Sequence, residues 1–214
     1  MKGIDVSNNL GNIDFNAVKN SGVEVVYIKA TEGKSYKDPY LIQNYQRAKQ
    51  AGLKVGFYHY SWNHGAEGAR WFYNTIKDLS YDCKLALDIE QTNNLGKSTI
   101  TQKCIEFLEE LERLTGKQTI IYTYTSFARE NLDSKLSKYP VWIAEYGVSN
   151  PHSNPIWGTN WAGFQYSESG NIPGINGGCD LNNFKEEVLL DTKQGYVITN
   201  YLPNGWQEIR LLVE

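Results

Sequence analysis

Short apolar segments alternate with helical patterns from Gly3 to Leu136, and this alternation constrains the fold more than any other feature of the sequence. The predicted strands are Gly3–Val6, Glu24–Ala30, Lys54–Tyr60, Lys84–Glu90 and Gln118–Tyr124. The helices predicted to follow them are Phe15–Asn20, Tyr40–Ala51, Gly65–Leu79, Ser98–Thr115 and Ser126–Leu136. Repeated strand–helix units predict a parallel sheet with helices packed outside it.

The pattern changes after Pro140. Val141–Tyr146 and Trp161–Tyr166 are predicted strands, but the connection 147–160 is rich in Gly, Pro, Asn and Ser, so no helix fits there. Gly177–Leu181 is a last short strand. The chain is therefore expected to form an α/β barrel of about eight strands, with regular helices only in the first five units.

The end of the chain has a different character. From about Asp191, the segments Tyr196–Tyr201 and Trp206–Val213 alternate as strands do, around the turn signal Pro203-Asn204-Gly205. An isolated hairpin is barely stable in water. We predict a barrel over residues 1–190 and a β-hairpin tail over 191–214 that either packs on the barrel or begins a second β-rich module.

Composition and charge exclude several functions. A net charge of −3 without a basic stripe argues against nucleic acid as a partner. No run approaches the roughly 20 apolar residues that a membrane span requires. The start Met1-Lys2-Gly3-Ile4-Asp5 places an acid where a signal peptide has its apolar core, so none is expected. The 15 Tyr and 6 Trp favour a carbohydrate ligand, since their rings offer flat apolar faces with a polar end.

Cysteine and histidine usage argues against a metal or a disulfide framework. Cys83, Cys104 and Cys179 are odd in number and lack C-x-x-C spacing, so we interpret them as reduced thiols. The three histidines show no H-E-x-x-H pattern. No metal or cofactor is expected, although a metal held by Asp88 and Glu90 alone stays open.

The predicted strand Lys84–Glu90 ends in two carboxylates on one face. Leu85, Leu87 and Ile89 are expected to point one way, and Ala86, Asp88 and Glu90 the other. Burying an unpaired charge is costly, and the C-terminal ends of barrel strands carry the chemistry. The alternative is an acidic pair on a solvated rim.

Polar and aromatic side chains collect at the ends of the other predicted strands as well. Together with the acidic pair they are Asp5, Lys29, Glu32, Tyr58, Tyr60, Asp88, Glu90, Tyr122, Tyr124, Trp142, Glu145, Gln165, Tyr166 and Asp180. One or two of these suit a structural role on the rim, but the whole ring favours an active site. Carboxyl groups on opposite sides of an aromatic mouth suit glycoside hydrolysis, which needs a proton donor and a stabilising negative charge.

Seven segments, in order, resemble the glycoside hydrolase family 25 lysozymes, which are N-acetylmuramidases. They are GIDVSNN (Gly3–Asn9), YIKATEG (Tyr27–Gly33), GFYHY (Gly56–Tyr60), LDIE (Leu87–Glu90), YPVWIAEYG (Tyr139–Gly147), GFQYS (Gly163–Ser167) and GINGGCDLN (Gly174–Asn182). The resemblance covers roughly residues 1–190. It implies an irregular, TIM-like (βα)5β3 barrel, with Glu90 as proton donor and Asp5, Asp88 and Asp180 as supporting acids.

The resemblance also suggests a substrate and a setting. Substrate-binding roles are expected for Lys29, Glu32, Tyr58, Tyr60, Tyr122, Tyr124, Trp142 and Gln165. The segments VEVVYIKATEG, LALDIE and IYTYTSF resemble lysins of clostridia and their phages, which implies an endolysin held in the host cytoplasm and then released to the cell wall. Such enzymes commonly carry a wall-binding module, but the tail does not clearly match their SH3-like modules.

The leading hypothesis is cleavage of the β-1,4 bond between N-acetylmuramic acid and N-acetylglucosamine in peptidoglycan. Two alternatives stay open: a wall-binding protein without turnover, and a hydrolase of chitin or another N-acetylglucosamine polymer. The Asp88 charge is expected to raise the pKa of Glu90. Since Asp88 lies on the same side as Glu90, the nucleophile is expected to be Asp5, Asp180 or, preferentially, the acetamido group of the substrate.

Overall fold

The computed structural model describes residues 1–190, 195–201 and 207–213. Its first nine strands are β1 (Lys2–Val6), β2 (Val25–Glu32), β3 (Tyr36–Lys37), β4 (Lys54–Tyr60), β5 (Ala86–Asp88), β6 (Ile120–Tyr124), β7 (Val141–Ala144), β8 (Gly163–Gly170) and β9 (Cys179–Phe184). The helices are α1 (Phe15–Asn20), α2 (Leu41–Gln50), α3 (Ala66–Ile76), α4 (Lys97–Thr115) and α5 (Thr125–Asn131).

Eight of these strands close into a barrel in the order β1-β2-β4-β5-β6-β7-β8-β9, with β9 returning to β1. A helix follows each of the first five barrel strands, and no α-helix follows the last three within residues 1–190. The expected (βα)5β3 barrel is therefore confirmed. The short strand β3, which pairs antiparallel with the end of β2 outside the ring, was not predicted.

The last barrel strand corrects the expectation of an all-parallel sheet. β9 runs antiparallel to both β8 and β1, and it covers Cys179–Phe184 rather than Gly177–Leu181. Asp180 consequently lies near the beginning of its strand, not at its end. Because the direction is reversed, that beginning reaches the same mouth as the end of β1, where Asp180 pairs directly with Asp5.

The period-2 alternation of the strands separates two apolar layers. Leu85, Leu87 and Ile89 join the layer between the sheet and the helices, whereas Ala86 faces the barrel interior, as predicted. Large rings fill that interior: the Trp142 ring centre lies 4.8 Å from Tyr27 and 5.3 Å from Phe184. These rings form the floor beneath the mouth of the barrel.

Several element boundaries differ from the prediction. The helix expected over Ser126–Leu136 is divided, because α5 ends at Asn131 and a separate 3-10 turn, Ser134–Leu136, begins after the N-cap Asp133. The strand expected over Lys84–Glu90 contains only Ala86–Asp88, so Glu90 lies two residues beyond it. The three cysteines are free and buried, as expected.

The tail forms a separate antiparallel pair of strands, as its alternation predicted. β10 (Gly195–Tyr201) pairs with β11 (Gln207–Val213). The predicted turn Pro203-Asn204-Gly205 lies outside the described residues. Among the helices of the described ranges, none combines the length and apolar character needed to cross a bilayer.

Candidate active site

A cavity of about 290 Å³ opens where the parallel barrel strands end. Its lining residues are Asp5, Ser7, Asn9, Lys29, Tyr58, Tyr60, Asp88, Glu90, Tyr122, Trp142, Tyr146, Gln165, Glu168 and Asp180. The four acids predicted to be catalytic therefore share one cavity. Six of the eight predicted binding residues also line it; Glu32 and Tyr124 do not.

One wall of the cavity carries Asp5 and Asp180 on the neighbouring strands β1 and β9. Asp5 Oδ2 accepts hydrogen bonds from Asn182 Nδ2 at 2.7 Å and from Gln165 Nε2 at 2.9 Å. Asn182 is itself fixed, because its Oδ1 accepts a hydrogen bond from Trp142 Nε1 at 2.7 Å. The donors are neutral, and their geometry holds the Asp5 carboxyl in one position.

These contacts separate the proton affinities of Asp5 and Asp180. Burial raises the pKa of Asp180 to about 8, and the neighbouring Asp5 charge and hydrogen bond raise it as well. Burial also raises the pKa of Asp5, but the hydrogen bonds from Asn182 and Gln165 lower it, so that it lies at about 6. Near neutral pH the pair therefore shares one proton, held mainly by Asp180.

The opposite wall carries Asp88 and Glu90. The backbone around them is held on both sides, since Asp88 O accepts from Ser61 N at 2.8 Å and Ile89 N donates to Tyr122 O at 3.0 Å. Asp88 is buried, whereas Glu90 is only half-buried at the opening. The inward face therefore continues past the end of β5 and presents Glu90 to the cavity.

The two acids of this second pair hold their protons differently. Burial raises the pKa of Asp88 well above its usual range, and the Glu90 charge raises it further. Burial also raises the pKa of Glu90, but the hydrogen bond with Asp88 and the charge of Lys29 lower it. Asp88, as the more buried acid, keeps its proton, and its hydrogen bond lowers the pKa of Glu90.

A bulge in β2 places Lys29 in the cavity and Glu32 beside it. The register between β2 and β4 shifts between Lys29 and Thr31. Lys29 Nζ lies 2.7 Å from Glu32 Oε2, whose carboxylate also accepts a hydrogen bond from Trp62 Nε1. The Lys29 ion pair lowers the pKa of Glu32 despite its partial burial, so Glu32 stays ionised. Glu32 thus positions Lys29 at the rim of the cavity.

The predicted aromatic residues divide into floor and wall. Trp142 is only 1% exposed, so its ring forms the floor and cannot stack flat on a sugar. Tyr122 Oη donates to Gln165 Oε1 at 2.8 Å, which places that ring between the two acid pairs. Tyr124 lines an adjoining cavity of about 400 Å³, which shares Glu90, Tyr122, Tyr146 and Glu168 with the first.

Five residues of the site were missed, of which Ser7 and Asn9 line the cavity and belong to the resembling segment GIDVSNN. Tyr146, which is 44% exposed, donates to Gln165 Oε1 at 2.6 Å and separates the two cavities. Asn182 holds Asp5, and Glu168 lines both cavities. Tyr146 is the last residue of a predicted strand, and Asn182 is the last residue of the segment GINGGCDLN, so the sequence offered a reason to consider both. No sequence pattern pointed to Glu168.

The geometry suits acid-assisted cleavage of a glycosidic bond. A half-buried carboxyl faces the opening, beside a buried acid that hydrogen-bonds to it. A second acid pair with one shared proton lies across the cavity. The described residues contain no group of three or more His, Cys, Asp or Glu side chains arranged to hold a metal ion.

The barrel and its two acid pairs are those of a glycoside hydrolase. Residues 4–175 match the model of "Glycosyl hydrolases family 25", and the chain belongs to that family.

Known relatives agree with this membership. The chain is 48% identical over 191 residues to an autolytic lysozyme of Clostridium acetobutylicum, covering 89% of this chain and 57% of that protein. The lysozyme of Streptomyces coelicolor superposes with a TM-score of 0.79 at 30% identity, covering 86% of this chain and 91% of the other. The CTP1L endolysin superposes with a TM-score of 0.78 at 34% identity, covering 87% and 67%.

Proposed function

We propose that this chain is a lysozyme that hydrolyses the β-1,4 bond between N-acetylmuramic acid and N-acetylglucosamine in bacterial peptidoglycan. Family membership and the likeness to proteins named lysozyme and endolysin support this substrate. The observation that carries the proposal is the pairing of acids across one cavity, Asp88 with Glu90 and Asp5 with Asp180. A wall-binding protein without turnover has no need of four acids with raised pKa values.

Glu90 acts as the general acid. It lies at the opening, where a leaving oxygen can reach it, and burial raises its pKa above the ordinary value. The buried Asp88 keeps its proton and hydrogen-bonds to Glu90, and Glu90 regains its own proton from the water that completes the hydrolysis. A carboxyl group matched to the working pH is the efficient proton donor for this reaction.

The substrate acetamido group, rather than a protein carboxylate, attacks the anomeric carbon. Asp5 is a poor nucleophile, because one oxygen accepts two amide hydrogen bonds and the carboxyl shares a proton with Asp180. Asp180 is less buried and orients the acetamido N–H, forming a charge-assisted hydrogen bond when ionised. Substrate-assisted hydrolysis of this kind retains the anomeric configuration.

Proton NMR of the first products, recorded before mutarotation, tests this route. The β anomer is expected. Initial release of the α anomer would eliminate retention, and a trapped glycosyl-Asp5 adduct would replace the acetamido route with a covalent one.

The substrate itself is tested by digestion of purified cell wall and of chitin. After borohydride reduction, mass spectrometry should identify reduced N-acetylmuramic acid at the new chain ends. Reduced N-acetylglucosamine from both polymers would favour the chitinase-type alternative. Wall binding without new reducing ends would favour the non-catalytic alternative.

We further propose that residues 1–190 suffice for the chemistry and that residues 191–214 serve wall targeting or solubility. The eight barrel strands and every residue that lines the cavity lie before Leu190. Truncation at Leu190 should leave the cleavage of soluble muropeptide fragments intact. A truncated protein that folds but does not cut them would place the tail in the active site.

A further inference from the structure

An aromatic cluster borders the catalytic cavity on the side of β2 and β4. Trp62 is 42% exposed and Tyr36 is 40% exposed. With Tyr146 they make up three of the four large apolar side chains that are exposed among residues 1–190. A large aromatic ring that stays exposed gains little free energy from removing apolar surface from water. Packing therefore does not explain why these rings lie beside the cavity.

The Trp62 ring is held in place although its surface is open. Its Nε1 donates to Glu32 Oε1 at 2.8 Å, and Glu32 is fixed in turn by Lys29. Gly33 has a φ of +59°, and a Cβ at that position would lie 3.1 Å from Trp62 Cδ1. The absent side chain of Gly33 therefore makes room for the indole, and the indole is ordered before any ligand arrives.

The cluster is continuous with the catalytic cavity. Lys29 Nζ lies 4.9 Å from the Tyr60 ring centre and 5.7 Å from that of Tyr36, and the Tyr60 ring lies 6.2 Å from Trp62. Lys29 and Tyr60 both line the cavity. A linear chain that leaves the cavity over Tyr60 therefore meets Tyr36 and Trp62 next.

We propose that Trp62 and Tyr36 form a distal stacking site for a sugar ring of the glycan strand, beyond the sugars held at the cavity. The inference rests on the proposed function and adds that the enzyme prefers long strands to short fragments. Pre-ordered aromatic rings with satisfied polar ends suit the apolar face of a pyranose and cost little entropy on binding. The charged Lys29–Glu32 pair stays beside the rings and is not displaced.

Chain-length dependence tests the proposal. Trp62→Ala should lower kcat/KM on long glycan strands by about fivefold, the factor that one aromatic stack gives. The same variant should keep its kcat/KM on the peptidoglycan tetrasaccharide, because the proposal places Trp62 beyond the sugars held at the cavity. Ile42→Ala, which removes another exposed apolar side chain, should change neither value. Equal losses on both substrates, or no loss on either, would overturn the proposal.

A binding measurement separates this inference from the proposed function. The six indole N–H signals are followed by NMR in a Glu90→Gln background during titration with the β-1,4-linked hexamer of N-acetylglucosamine. The Trp62 signal, identified by its loss in Trp62→Phe, should shift. A shift without hydrolysis of wall by the native protein would defeat the proposed function and leave the stacking site standing. An unmoved Trp62 signal at saturation, or a shift only with free stem peptide, would overturn the stacking site.

Discussion

The two acid pairs of the cavity have the same chemical groups but different surroundings. Asp88 and Glu90 come from one strand end in the regular half of the barrel, face the cation Lys29, and leave Glu90 open to the cavity. Asp5 and Asp180 join the first and last strands, and neutral amides hold Asp5. A half-buried acid that faces the opening can give its proton to a ligand, whereas the amides fix Asp5 and leave Asp180 to orient the substrate. The difference predicts a division of labour that mutation can break.

The largest effect is expected at Glu90. Glu90→Gln keeps the shape of the side chain but has no proton of suitable acidity to give, and loss of a general acid typically costs about 10²–10⁴-fold in rate. Turnover of purified cell wall should fall by that factor while circular dichroism and wall binding stay unchanged. Glu109→Gln, an exposed change on α4, serves as the control. Residual activity above a tenth would remove Glu90 from the role of acid.

A smaller but diagnostic effect is expected at Asp88. Asp88→Asn removes the group that keeps the pair protonated to high pH, and it leaves an amide donor beside the Glu90 carboxylate. The rate should fall by about 10–100-fold, as for a group that supports a general acid. The alkaline limb of the rate profile should stay in place, because burial still raises the pKa of Glu90 and the introduced amide still donates to its carboxylate. A shift to lower pH would mean that the Asp88 charge acts on Glu90 by repulsion, as the sequence first suggested.

The two acid pairs also differ in how far their arrangement could be predicted from the sequence. Period-2 alternation predicted that Asp88 and Glu90 face the barrel interior. This alternation depends only on neighbouring residues, and it continues past the end of β5. The network around Asp5 was not predictable in the same way. It depends on Asn182, 177 residues distant, and on the reversed direction of β9, and apolar alternation is identical for either direction. Which acid of a pair has the higher pKa depends on how deeply each one is buried. The sequence pattern does not predict that depth.

The Asp5–Asp180 pair should show itself in stability as well as in rate. Asp180 holds its proton to a pKa of about 8 in the folded state against an ordinary value of 3.8, so it contributes stability below pH 4 that is lost as pH rises toward 8. Asp180→Asn cannot ionise and should lose less stability over that window. Since Asp180 is partly exposed, we expect a relative gain at pH 8 on the order of 1 kcal/mol, or about 2–4 °C in Tm.

Thermal unfolding of both proteins at pH 5 and pH 8 measures this difference. The same variant should also lose about tenfold in activity if Asp180 positions the acetamido group. Identical changes in Tm for variant and native protein would show that Asp180 does not carry the pH dependence.

The smallest effect is expected from the cation that distinguishes the two pairs. The charge of Lys29 lowers the pKa of Asp88 and of Glu90, whereas the largest shifts of Asp5 and Asp180 come from burial, hydrogen bonds and neighbouring acids. Lys29→Met should therefore move the alkaline limb of the rate profile upward, by about half a pH unit for a single screened charge. Asp88→Asn, in contrast, is expected to leave that limb in place. Between pH 5 and 8, the pH dependence of the free energy of unfolding includes the titration of Asp5 and Asp180. The part that depends on Asp180 is the difference between Lys29→Met and the double variant that also carries Asp180→Asn. Lys29→Met should leave this part unchanged. If Lys29→Met changed that difference as well, the two pairs would titrate as one network, and the division of labour between a proton-donating pair and an orienting pair would be wrong.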